Sequence, residues 1–71
     1  MRGNVRWFNV AKGYGELEAE NGDIFFFTFR ELRKRAKFKS IDPGTKVRFS
    51  GSIQRMFNFP VAKEIRVRKT S

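Results

Sequence analysis

The sequence predicts an all-β fold, five short strands wrapped into a closed or partly closed barrel. Three observations predict it. Apolar and polar residues alternate with period two in short runs. Gly, Asn, Asp and Pro punctuate those runs. A long connection follows the third run, and no further runs remain to build a second sheet. With 71 residues, the chain is expected to be one domain spanning 1–71. A body this small buries only about 60% of its unfolded surface, so its stability should be a few kcal/mol.

The elements follow in order. Strand one runs from about Gly3 to Asn9, and Lys12-Gly13 makes a turn. Tyr14 to Glu20 reads as strand two. Tyr14, Glu16 and Glu18 share one face, and Gly15, Leu17 and Ala19 the other. Asn21-Gly22 is a strong hairpin signal. Strand three runs from about Asp23 to Phe29. Phe25 and Phe27 should join Leu17 and Ala19 inside, with Phe26 and Thr28 outside beside Tyr14 and Glu16. Arg30 to Asp42 is a long connection, in which Arg30-Glu31-Leu32-Arg33 closes at most one helical turn. Asp42-Pro43-Gly44-Thr45 is a turn. Lys46 to Ile53 reads as strand four, with Val47, Phe49 and Ile53 inward. Gln54 to Asn58 reads as a loop and Phe59 to Arg68 as strand five. Five strands with this punctuation suit the OB-fold, a Greek-key barrel whose second and third strands present a face to oligonucleotides.

Charge and rings indicate the partner. Sixteen Lys and Arg face seven Asp and Glu, a net charge of +9. An excess that large favours a polyanion. Six of the ten residues from Arg30 to Lys39 are basic and one is acidic. Nucleic acid is the leading reading because rings accompany the charge. Anionic membrane is the competitor, but no amphipathic helix with a wide apolar face is present to serve it. No apolar run approaches the roughly 20 residues that span a bilayer. Met1-Arg2-Gly3-Asn4 runs straight into a strand pattern, with no signal peptide, so a cytoplasmic protein is expected. The chain has no cysteine and no histidine. Disulfides and thiolate metal sites are excluded, and so is the commonest metal ligand and proton carrier. No metal, cofactor or small-molecule substrate is expected.

Val5-Arg6-Trp7-Phe8-Asn9-Val10-Ala11-Lys12-Gly13-Tyr14-Gly15 concentrates rings, cations and glycines. Ile24-Phe25-Phe26-Phe27-Thr28-Phe29 is a second ring cluster. Trp7-Phe8-Asn9, Lys12-Gly13-Tyr14-Gly15 and Phe26-Phe27-Thr28-Phe29 together resemble the bacterial cold-shock domain. Phe38-Lys39-Ser40-Ile41 and Pro43-Gly44-Thr45-Lys46-Val47-Arg48-Phe49 are similar to that family's third loop and fourth strand. The resemblance implies a five-stranded barrel that binds single-stranded RNA and DNA, often as an RNA chaperone. Its two ribonucleoprotein motifs fall on Lys12 to Leu17 and Phe25 to Phe29. The binding face it implies includes Arg6, Trp7, Lys12, Tyr14, Phe26, Phe29 and Phe38. Thr28, at the motif's usual histidine, belongs to the same face, and Arg33, Lys34 and Arg35 add loop cations. Glu16 stands where the family usually has a second aromatic. Phe59-Pro60-Val61-Ala62-Lys63-Glu64 departs from the usual fifth strand. Strand three has two registers against the motif, one starting it at Phe26 and one placing Ile24-Phe25-Phe26-Phe27 on the same positions.

Several residues carry two readings. Trp7 shares Val5's parity, so it is either core or turned outward by a bulge. Three consecutive phenylalanines cannot all be core on a strand, so one side of the run must face out. An exposed Phe26 beside Tyr14 is costly unless a ligand covers it. Arg6 and Lys12 are phosphate contacts or ordinary solvated charge. Glu16 and Glu18 share a face, which is weak support for a metal-dependent nuclease without a third ligand. Pairing with nearby cations explains them better. No catalytic residue is expected. The first functional reading is a module that stacks bases and follows the backbone of single-stranded RNA or DNA. The alternative is a basic barrel that docks on the ribosome or RNA polymerase.

Overall fold

The computed structural model describes residues 1–32 and 41–68. Five strands form a closed barrel in the order β1-β2-β3-β5-β4. They are β1 (Arg2–Asn9), β2 (Tyr14–Ala19), β3 (Ile24–Thr28), β4 (Lys46–Met56) and β5 (Phe59–Val67). All neighbours are antiparallel except β3 and β5, which meet in parallel at Phe26 and Val61. This is the OB-type barrel that the strand pattern predicted.

Alternation drives the closure. Val5, Leu17, Ala19, Phe25, Phe27, Val47, Phe49, Ala62 and Ile65 point inward to one core, joined by Ile41. Phe25 meets Phe49 edge-on at 4.9 Å, and Phe8 stacks on Phe27 at 5.5 Å. In the β2–β3 hairpin Asn21 caps its own turn, its side chain accepting from the Asp23 amide at 3.0 Å. Gly15 lies opposite Phe8. A side chain there would collide with the Trp7 carbonyl, so glycine lets β1 and β2 close tightly over Phe8.

Some boundaries differ from the sequence reading. β1 begins one residue earlier, at Arg2. Glu20, Asp23, Phe29 and Arg68 fall outside the strands. The single helical turn is a 3-10 turn at Phe29–Glu31, one residue earlier than expected. The largest difference is in β4. The expected loop from Gln54 to Asn58 is instead strand to Met56 and a tight turn at Phe57 and Asn58. Ile53, expected inward, is 99% exposed. Two register shifts against β5, after Arg48 and after Gly51, break the parity that pointed it inward. Beyond Gly51 the β4–β5 ribbon extends past the core.

Candidate nucleic-acid interface

A bulge in β1 creates the outer face. The register against β2 shifts between Val5 and Trp7. One extra residue, Arg6, lets Val5 point inward and Trp7 outward, while Phe8 returns to the core. The two readings of Trp7 are thereby decided. It stands on the outside, 36% exposed.

Trp7, Tyr14 and Phe26 converge there from three adjacent strands. Trp7 meets Tyr14 edge-on at 5.9 Å and Phe26 edge-on at 6.4 Å. Tyr14 and Phe26 lie 5.3 Å apart. A fourth ring, Phe57, arrives from the β4–β5 turn, 5.1 Å from Phe26 and 6.4 Å from Tyr14. The register of strand three is Tyr14 opposite Thr28 and Glu16 opposite Phe26. That puts Phe26 on the outer face, as the parity demanded.

Phe26 is nevertheless not exposed. Its expected role as an open stacking surface is corrected: only 3% of it reaches solvent. Trp7, Tyr14 and Phe57 wall it in, so it serves as the floor of a small outer cluster. Phe57 is the residue that the sequence reading missed. It is 69% exposed, with φ of 53°, and Asn58 follows at 68°. Two consecutive left-handed residues make a two-residue hairpin turn of the primed type. Asn tolerates that conformation, but a bulky Phe rarely adopts it. Its backbone carries a cost of about 1–3 kcal/mol while its ring is held over the cluster. The signal was a ring beside Asn in a short polar stretch.

The remaining positions surround the cluster. Phe29, 51% exposed, begins the 3-10 turn. Its amide donates to the Gly13 carbonyl at 2.9 Å. Gly13 has φ of 76°, and a Cβ there would come within 2.8 Å of the Phe29 ring, so only glycine seats that ring. Lys12 lies in the same turn, exposed, its amide donating to Asn9 Oδ1 at 3.0 Å. Thr28 is half-buried opposite Tyr14. Arg6 is half exposed and pairs with Glu16 at 3.7 Å. Glu16 thus sits among the rings, opposite both Trp7 and Phe26. Arg33, Lys34, Arg35 and Phe38 lie outside the described residues.

The arrangement can stack planar groups on Trp7, Phe57 and Phe29 and place cations beside them. Among the described residues no group of three or more acidic side chains is placed to hold a metal ion. No helix among them is long and apolar enough to cross a membrane.

Barrel and ring face together define an OB-type module for single strands. Residues 1–67 match the family described as the 'Cold-shock' DNA-binding domain. The chain is 48% identical over 48 residues to "Cold shock protein CspC" of Bacillus subtilis (strain 168), covering 68% of this chain and 71% of that protein. It is 44% identical over 49 residues to "Cold shock protein CspB" of Geobacillus stearothermophilus, covering 69% and 73%. Against "Major cold shock protein CspA" of Pseudomonas aeruginosa it is 45% identical over 49 residues, covering 69% and 70%. The chain belongs to the cold-shock domain family, and its function is single-stranded nucleic-acid binding of the RNA-chaperone kind.

Proposed function

We propose that the protein binds single-stranded RNA and DNA by stacking bases on Trp7, Tyr14, Phe29 and Phe57, with Phe26 as the apolar floor beneath them. Lys12 and Arg6 follow the phosphate backbone. Arg33, Lys34 and Arg35 add phosphate contacts and Phe38 a base contact in this reading, and Thr28 contributes from beside Tyr14. The observation that carries this reading is the four-ring cluster on the outer face, where β1 spends a bulge and β4–β5 a strained turn to bring the rings together. A face stacked this way reads sequence weakly, because every base has a flat surface. The site performs no catalysis in this reading and uses no cofactor. The whole chain, 1–71, acts as one cytoplasmic domain. Docking on the ribosome or RNA polymerase is not needed to explain the rings, since a docking surface does not require stacking platforms.

The test is a parallel titration of short unstructured RNA and DNA, read by anisotropy of a label on the oligonucleotide. Both should bind, with affinity falling as salt rises by about 0.7 log units per log unit of salt for each phosphate neutralised. Failure of both oligonucleotides to bind at low salt would overturn the reading.

A further inference from the structure

A second basic surface lies away from the rings. On the outer face Arg2 stands directly opposite Arg48 on β4, and Arg48 directly opposite Arg66 on β5. All three are exposed. One row further, Lys46 lies opposite Asn4, and the Arg68 amide donates to the Lys46 carbonyl at 2.8 Å. Five cations therefore occupy two adjoining rows. Directly opposed side chains on neighbouring strands have Cβ atoms about 4.5–5.5 Å apart, and like charges there are destabilising. Among the described residues none of the five is in an ion pair; the pairs Arg6–Glu16 and Lys63–Glu31 lie elsewhere. Three acidic side chains border the strip. Glu18 and Glu20 are on the β2 side, opposite Asn4 and hydrogen-bonded to the Arg2 carbonyl respectively. Glu64 shares with Arg48 and Arg66 an open recess of about 380 Å³.

A fold that sets three arginines in register, none of them ion-paired among the described residues, is breaking a local rule, and such breaks mark functional sites. We infer that the Arg2–Arg48–Arg66 row, extended by Lys46 and Arg68, binds the phosphate backbone of double-helical nucleic acid. The choice of a duplex rests on what the strip lacks. Arg2, Asn4, Lys46, Arg48, Ser50 and Arg66 face outward there beside the exposed Glu64, with no ring among them. A surface without stacking platforms gains nothing from unpaired bases and reads only the backbone, which a duplex presents with its bases still paired. Trp7 is five residues along β1 from Arg2, or roughly 17 Å at strand rise. The two faces can thus be filled together: a single-stranded segment on the rings and the helical stem that flanks it on the arginines.

The test compares the unaltered protein with an Arg48→Gln/Arg66→Gln variant. The probes are a short blunt-ended duplex and a short oligo-dT. A urea melt serves as the fold control, and removing opposed like charges should leave stability equal or higher. The unaltered protein should bind the duplex at low salt without changing Trp7 fluorescence, and prebound oligo-dT should not block it. In the variant, the slope of log affinity for the duplex against log salt should fall by about 1.8, or about 0.9 for each of two lost phosphate contacts. Its response to oligo-dT should be unchanged. No duplex binding, an unaltered slope, or displacement of oligo-dT by the duplex would overturn the proposal. The duplex measurement does not involve the rings, so loss of the oligo-dT response alone would count against the ring site and not against this one.

Discussion

At the residue scale, Phe26 shows how parity and exposure come apart. It sits on the outer face by register and is buried by its neighbours. Phe26→Ala should therefore behave as a packing mutation as well as a binding one. A truncated buried Phe costs about 3–5 kcal/mol. Urea unfolding should show a loss in that range for both Phe26→Ala and Phe27→Ala, but only the former should also weaken oligonucleotide binding in conditions where both stay folded. A melt of Phe26→Ala that matches the unaltered protein would mean the ring cluster is not closed in solution. Glu16 is the second informative residue. It takes the place of a ring and pairs with Arg6, one of the cations proposed for the backbone. The pair is long at 3.7 Å and half exposed on the Arg6 side, so it should contribute little to stability, on the order of 1 kcal/mol, whereas a stacking ring is worth about 1–3 kcal/mol in binding. Glu16→Phe should tighten binding, most visibly at high salt, by adding a ring and releasing Arg6. Unchanged affinity at every salt concentration would remove β2 from the interface.

At the element scale, the β4–β5 hairpin separates ring from backbone. Phe57 occupies a left-handed position that glycine adopts freely. Phe57→Gly should relax the turn and lose the ring, giving weaker binding by about 1–3 kcal/mol with stability retained. A paired titration and urea melt check this; unchanged binding would mean that Phe57 covers Phe26 but does not meet the ligand. The same hairpin marks the edge of what the sequence discloses. Leu17, Phe25 and Phe27 were legible as core because their alternation is local and the turns around them carry Asn21, Gly22 and Gly13. Ile53 was not, because inward parity assumes an unbroken register and β4 shifts twice. Trp7's direction needed a bulge that no residue type announces. Phe26's burial depends on Phe57, a ring that tertiary closure brings from a distant turn. Local pattern found the strands, and long-range closure decided which rings are floor and which are surface.

At the scale of the whole molecule, cations of the described residues fall on two faces of the barrel. The ring face carries Arg6 and Lys12, partly offset by Glu16, while β1, β4 and β5 share an arginine row with no ring beside it. In the proposed account, single strands and duplex backbones are addressed by different sides of one closed sheet. The central claim concerns the first side: bases stack on the outer rings. Trp7 is the chain's only tryptophan, so its emission reports on that face alone. A titration of oligo-pyrimidine into micromolar protein measures it most directly. The account predicts saturable quenching of Trp7 fluorescence; emission that stays constant while the labelled oligonucleotide is demonstrably bound would contradict it.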